Sequence, residues 1–407
     1  GIVDYTCNEL AVRRGKLSPL TAEHALAVLC IVRSPHRIAD QISHVLFVLR
    51  ALKSDVHLVT RALVTLAELY NVLNEETAKV VHADLGRTSD PQESKSFDVF
   101  AHGVPRDGVD VRLVTTTLDL YPGHRKISGA GLRAYAAMCK LSPDHLRYVL
   151  VDDLRGLVQA QRQHENSHSV AFHISEVVLA ATREQPKIIG EMMLQLVSRV
   201  LHAFMRDPTI VALGVKALQL AAARDLHVYT VIDAVPVIDL VGLGEIHRAD
   251  PQIMAPLCSL LATYAVVGND VQEDLLRAGA VAVPFRAMDS LTEDATIAHA
   301  AARAVKRLLN GSRAALKQAA RMKGSVILFN ILMAHGRQAD VAHATLAALA
   351  VVGQDAHSRR QLLDPTAPAT WSVLDALLRV ADDTVDRDPD ILAQTCCALG
   401  TLTYSDS

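Results

Sequence analysis

The sequence predicts an all-α fold, an α-solenoid in which short helices repeat at a nearly fixed interval. Three observations predict it. The 407-residue chain is half apolar yet only 4% aromatic. Its apolar bulk is therefore Ala, Leu, Val and Ile, a mixture that suits many short packed helices and suits β-sandwiches poorly. A small element, Asp-Pro-x-Ile, recurs along the chain. The apolar residue that closes each copy is followed by apolar residues at the same offsets every time.

The recurring element reads Asp207-Pro208-Thr209-Ile210, Asp250-Pro251-Gln252-Ile253, Asp294-Ala295-Thr296-Ile297 and Asp388-Pro389-Asp390-Ile391, with a degenerate copy, Gln338-Ala339-Asp340-Val341. Asp accepts hydrogen bonds from the free N–H groups at a helix start, and Pro at the first helical position loses nothing by lacking its own. Each copy therefore opens a helix. Adding Ile127 and Val170, which share the phase, gives landmark spacings of 43, 40, 43, 44, 44 and 50 residues. At +7, +8 and +11 stand Ala217, Leu218 and Ala221; Leu260, Leu261 and Tyr264; Ala304, Val305 and Leu308; Ala348, Leu349 and Val352; and Ala398, Leu399 and Leu402. Those offsets form one stripe of a 3.6-residue helix.

Helical repeats of this length fall in the HEAT and armadillo range. The steps Arg277-Ala278-Gly279-Ala280-Val281 and Lys323-Gly324-Ser325-Val326, preceded by Leu275-Leu276 and Leu316, resemble the armadillo Gly-Ala-Val turn between first and second helices. Gly279 and Gly324 are expected to supply its positive φ. Residues 207–404 thus resemble the armadillo-repeat family, and 112–206 do so more weakly. The resemblance implies a right-handed α-solenoid of about seven armadillo-like three-helix repeats, with each third helix lining a concave groove. Import receptors of this family carry Trp and Asn ladders there; the single Trp371 lies elsewhere, which disfavours that subfamily.

Before the clear repeats, 21–32 and 55–73 read as helices, with Val56, Leu63, Leu66 and Leu69 on one face. The expected organisation is 1–83 as divergent N-terminal helical repeats, 84–110 as a polar, turn-rich insertion, and 111–407 as armadillo-like repeats continuing the same solenoid. Shorter Pro/Asp-rich insertions fall at 364–370 and 382–390. The last stripe ends at Leu402 without a polar cap, so further repeats or a partner are expected to cover that face.

A net charge of −3 and a pI near 6.7 supply no global field for nucleic acid or anionic membrane. Apolar runs such as 45–49 and 341–352 fall far short of the roughly 20 residues of a membrane span. Cys7, Cys30, Cys139, Cys258, Cys396 and Cys397 form no CxxC pair. They are expected to be buried thiols in a reducing compartment, neither disulfides nor a zinc knuckle.

One motif points to catalysis. His164-Glu165-Asn166-Ser167-His168 matches HExxH, whose chemistry needs both histidines on one helix face to hold zinc and the Glu as general base. Against it, Ser167 sits where the helix near Val170 should be capped, so the motif should straddle a turn. Ala171 and Ile174 replace the Gly and His of a metzincin continuation, and Lys187 stands where a distal Glu ligand would be. No phosphate-binding loop, dinucleotide fingerprint or Gly-x-Ser-x-Gly occurs. The adjacent carboxylates Asp152-Asp153 and Asp382-Asp383 point apart on a helix and read as solvated faces.

The more promising surface lies opposite the core stripe, where offsets 2, 6, 9 and 13 share a face. In the copy opening at Ile297 they give a basic strip, His299, Arg303, Lys306 and Asn310; other copies offer Arg133 and Lys140, Lys216 and Gln219, and His343. Such a strip serves either as solubilising charge or as a groove for an acidic, extended protein segment held by Arg and Lys. The functional expectation is a non-catalytic scaffold or adaptor with no cofactor, no metal and no nucleic acid. It is cytoplasmic and, by analogy alone, associated with cytoskeletal or ciliary assemblies. The alternatives are a structural subunit buried in a large assembly and a zinc hydrolase at 164–168.

Overall fold

A computed structural model of the protein describes residues 18–31, 38–52, 54–85, 109–141, 143–152, 154–184, 189–223, 228–363, 377, 380 and 389–403. All regular secondary structure among them is helical. The 364–370 insertion, Trp371, Asp153, Asp382-Asp383, Cys7 and the Asp388 cap lie outside the described residues, as do 86–108 of the polar insertion. The chain divides into two compact units, residues 1–203 and 204–407.

The first unit holds α1 (Pro19–Ile31), α2 (Ile38–Ala51), α3 (Val56–Leu85), α4 (Val109–Leu120), α5 (Arg125–Leu141), α6 (Pro143–Asp152), α7 (Leu154–Gln163), α8 (His168–Glu184) and α9 (Glu191–Ala203). α3 packs on α1, α2 and α5, and α5 packs on α8. α2 buries Ile38, Ile42, Val45 and Leu49, a helical stripe within a stretch read only as a short apolar run. One expectation needs correcting, because α3 contains a segment, Val56–Glu75, long and apolar enough to cross a membrane. It is instead a core helix, with Leu63, Leu66, Leu69 and Tyr70 fully buried against its neighbours. Its last residues also carry the helix past 83, into the expected insertion.

The second unit holds α10 (Pro208–Ala222), α11 (Val228–Ala234), α12 (Val237–Ile246), α13 (Pro251–Tyr264), α14 (Asn269–Ala278), α15 (Ala282–Ser290), α16 (Ala295–Leu309), α17 (Arg313–Arg321), α18 (Gly324–His335), α19 (Ala339–Val352), α20 (Ala356–Leu363) and α21 (Pro389–Thr403). α11–α13, α14–α16 and α17–α19 are three-helix repeats. The third helices stack in order, α10 on α13, α13 on α16, α16 on α19 and α19 on α21. The landmarks Ile210, Ile253, Ile297, Val341 and Ile391 are all buried, and so are their +7, +8 and +11 followers, apart from a half-buried Leu399. Burying that stripe of Ala, Leu and Val against both neighbours supplies most of the cohesion, at roughly 25 cal/mol per Å² of apolar surface removed from water.

The caps behave as their chemistry requires. Asp207 accepts from Thr209 N and Ile210 N at 3.0 and 3.1 Å. Asp294 does the same for Thr296 and Ile297 at 2.8 and 3.1 Å, and Asp250 accepts from Gln252 N at 2.9 Å. The degenerate Gln338 occupies the cap position without a side-chain bond.

The two Gly turns differ from each other. Gly279 takes the left-handed conformation at φ 81°, with Ala280 N donating to Leu275 O and Gly279 N to Leu276 O. At the second turn the positive φ falls on Lys323 at 56°, not on Gly324. Gly324 is required there for a different reason. A Cβ on it would lie 2.6 Å from Cζ of the buried Phe285, so the glycine lets α18 close on α15. The cysteines also divide. Cys139 and Cys258 are buried as expected, whereas Cys396 and Cys397 are exposed. The exposed pair sits at offsets 5 and 6 from Ile391, off the buried stripe.

Candidate protein-binding surface

The basic strip opens a cleft of about 410 Å³ in the second unit. α16 brings His299, Arg303 and Lys306 to it, α19 brings His343, and the floor is alanine, including Ala344 and Ala347. Four of the residues chosen from sequence offsets therefore meet in one place. Arg303 and Lys306 are exposed and enter no ion pair among the described residues. Asn310 does not join them. α16 ends at Leu309, so offset 13 falls beyond the helix, and the Asn310 carbonyl accepts from Gln272 Nε2 at 3.1 Å.

Three charged lining residues escaped the sequence reading. Arg307, beside Lys306, donates through Nη1 to Ala262 O at 3.3 Å and so ties α16 to α13. Asp340 and Asp390 stand in the first turns of α19 and α21, where the helix macrodipole favours acids. They were legible as helix-start acids, but their approach to the cleft depends on how three helices stack. His299 and Arg303 also line an adjoining groove that reaches Ser259 on α13. Partial burial, then the neighbouring Arg303 charge and His343, hold the His299 imidazole below its ordinary pKa, against an opposing pull from Asp340. A neutral His299 at pH 7 follows.

The remaining candidates have other roles. Arg133 on α5 pairs with Glu68 on α3. Lys140 Nζ lies 2.5 Å from Glu176 Oε1 on α8. Burial alone would raise the Glu176 carboxyl, but His173 and Lys140 hold it below its usual range. These two cations join third helices within the first unit. Lys216 and Gln219 bond to each other at 3.0 Å on α10.

The HExxH match does straddle a turn. α7 ends at Gln163, residues 164–166 form the turn, and α8 begins at His168. His164 Nε2 lies 3.1 Å from both Pro122 O and Ser128 Oγ, and His168 stacks on Phe172. The two histidines are not one turn apart on a single helix, which is the geometry a zincin needs.

No family model matches the chain, and no curated protein matches it. Solved structures do. One comes from work on a conserved phosphorylation switch that controls the interaction between cadherin and beta-catenin. It superposes with a TM-score of 0.70 at 13% identity, over 98% of this chain and 77% of that one. An engineered protein gives a TM-score of 0.46 at 20% identity over 62% and 99%, and SYS-1 gives 0.47 at 10% identity over 94% and 85%. The first likeness shows the fold, an all-α solenoid of armadillo type, as the repeat pattern predicts.

Proposed function

We propose that this chain, with its armadillo fold, is a non-catalytic scaffold that binds other proteins, and that the cleft of α16, α19 and α21 holds an acidic, extended segment of a partner. The observation that carries this reading is the convergence of Arg303 and Lys306 with His299 and His343 over an alanine floor. Two exposed cations without ion pairs can reach carboxylates, and the small floor lets a backbone lie close. The likeness to a cadherin/beta-catenin structure supports protein binding in general. We place the protein in the cytoplasm, in cytoskeletal or ciliary assemblies, by analogy of fold alone.

A second reading, a structural subunit covered by its assembly, draws on Tyr229 and Ile238, which stand 64% and 62% exposed. Affinity purification from cell extract separates the two. The intact chain is compared with a variant carrying Arg303→Glu and Lys306→Glu, with folding checked by circular dichroism. A partner captured by the first and lost by the second supports the cleft. Identical partners on both place binding elsewhere and sink the cleft as the working surface.

A further inference from the structure

A second groove lies in the first unit, between α3, α5 and α8; of its residues the sequence reading singles out Arg133 as a groove residue, and Ser167 and His168 only as part of the apparent zinc motif. Its volume is about 780 Å³, larger than that of the cleft on α16. The floor is small, with Gly129 and Ala130 on α5 and Val64 on α3. Gly129 faces α8 closely, since a Cβ there would lie 2.9 Å from Ser169 Oγ and the serine hydroxyl would have to turn aside.

One wall is a ring cluster on α8. Half-buried Phe172 stacks on His168, with ring centroids 6.2 Å apart and planes at 9°, and meets His173 edge-on at 5.2 Å. The rim is cationic. Arg125 and Lys126 are exposed at the start of α5. Arg125 Nε donates to the buried Ser167 Oγ at 3.2 Å, which fixes the guanidinium while leaving its terminal nitrogens for a ligand. Among the described residues no carboxylate lines this groove, whereas two line the cleft on α16.

We infer that this groove is a second docking site, whose occupant is an extended segment of a partner protein carrying an aromatic side chain close to carboxylates. The aromatic ring packs on Phe172 over the Gly129–Ala130 floor, in the offset or edge-to-face geometry that ring pairs prefer. The carboxylates meet Arg125 and Lys126, where a guanidinium can bind both oxygens at once. The inference rests on the reading that this chain binds extended protein segments, but it uses different residues and a different chemistry from the α16 cleft.

The test is selection of a random-sequence peptide library, displayed on phage, against the intact chain. Enriched peptides are then titrated against Phe172→Ala, the double variant Arg125→Glu/Lys126→Glu, and Arg303→Glu/Lys306→Glu. The expected peptides carry an aromatic residue within a few positions of Asp or Glu. They lose about tenfold or more in affinity to each of the first two variants and keep it with the third. Should Phe172→Ala misfold, the surface charge reversal carries the test alone. Enriched peptides without that pattern, or peptides bound equally by the Arg125/Lys126 variant, overturn the inference. Peptides lost only to the Arg303/Lys306 variant overturn it while leaving the α16 cleft standing, and no enrichment at all removes both. A fluorescent oligouridine that binds more tightly than any peptide, and is lost to the Arg125/Lys126 variant, assigns the groove to RNA and overturns it too.

Discussion

The imidazole Nε2 of His247 lies 2.7 Å from the carbonyl oxygen of Met205, joining the turn that precedes α13 to the corresponding turn one repeat earlier. The same clamp recurs from His335 to Thr292 at 2.7 Å and from His164 to Pro122 at 3.1 Å, with sequence separations of 42, 43 and 42 residues. In each case the histidine carbonyl also accepts from the N–H of the helix-capping residue three positions on, Ser167, Asp250 or Gln338. Because a carbonyl only accepts, Nε2 carries the proton in each clamp. His164, which heads the apparent zinc motif, is therefore a residue that links repeats.

Replacing His247 with Ala leaves the Met205 carbonyl without this donor in a half-buried turn. The expected loss is about 1–2 kcal/mol, read as a lower urea midpoint, with faster hydrogen exchange at the Asp207 amide, whose N–H closes the same turn on Phe204 O. His335→Ala behaves alike. A midpoint shifted by less than a few tenths of a kcal/mol for both variants shows the clamps to be incidental contacts.

The third helices of the second unit were legible in the sequence because a stripe at offsets 0, 7, 8 and 11 recurs in each, reinforced in all but the Gln338 copy by an Asp cap. The opposite offsets, 2, 6 and 9, placed His299, Arg303 and Lys306 on one face, and the helix end at Leu309 displaced Asn310 at offset 13. The clamps were not legible. A histidine and a backbone carbonyl 42 residues away share no side-chain pattern until the turn geometry is known. The Phe172 groove was hidden for a similar reason, since its walls come from α3, α5 and α8, whose juxtaposition depends on packing. Lys323 is a third kind of failure: Gly324 is the residue that prefers positive φ, yet the close approach of Phe285 claims it for another purpose.

That division of labour between Lys323 and Gly324 gives opposite signs for two conservative changes. Lys323→Gly removes a side chain from a left-handed residue and should stabilise the second unit by up to about 1 kcal/mol. Gly324→Ala forces a methyl onto Phe285, which is fully buried and cannot swing aside. Overpacking of this kind costs about 1–3 kcal/mol. Thermal unfolding of the two variants beside the intact chain decides it. Destabilisation by Lys323→Gly would mean that the lysine side chain, not its backbone, matters at the turn.

Thiol chemistry should separate the cysteines by burial. Burial pushes the Cys258 thiol up to about 12 and raises Cys139 strongly as well. Neither offers thiolate at neutral pH, and both are shielded from reagent. Cys396 and Cys397 are exposed on α21. In native buffer at pH 8, dithionitrobenzoate should react with two fewer thiols in the Cys396→Ser/Cys397→Ser variant than in the intact chain. Single replacement of Cys139 or Cys258 by Ser should leave the fast phase unchanged. An unchanged fast phase in the double variant would place both α21 thiols under cover.

The buried ionic contact of the first unit sets an acid limit on its stability. Asp110, fully buried at the start of α4, accepts from the Tyr70 hydroxyl on α3 and lies 3.1 Å from His145 Nε2 on α6. Burial alone would raise its carboxyl pKa. The hydrogen bond and charge of His145, with the bonds from Tyr70 and Val111 N, outweigh burial and hold it below the ordinary range. Burial and then the adjacent Asp110 charge push the Tyr70 hydroxyl far up, so it stays a donor throughout. A carboxyl whose folded pKa is depressed contributes stability that is complete above its unfolded pKa of about 3.9 and is lost as pH falls through the folded value. Asp110→Asn should therefore be less stable than the intact chain by about 1.5–3 kcal/mol above pH 5, the range for hydrogen bonds to charged groups. The gap should begin to narrow below about pH 4 and go on narrowing as pH falls through the depressed folded value, where the protonated acid and the amide become alike. Urea midpoints for the two proteins between pH 3 and 7 measure it. A gap that stays constant down to pH 3 would show that the amide is penalised by its shape, and that the Asp110 charge contributes nothing.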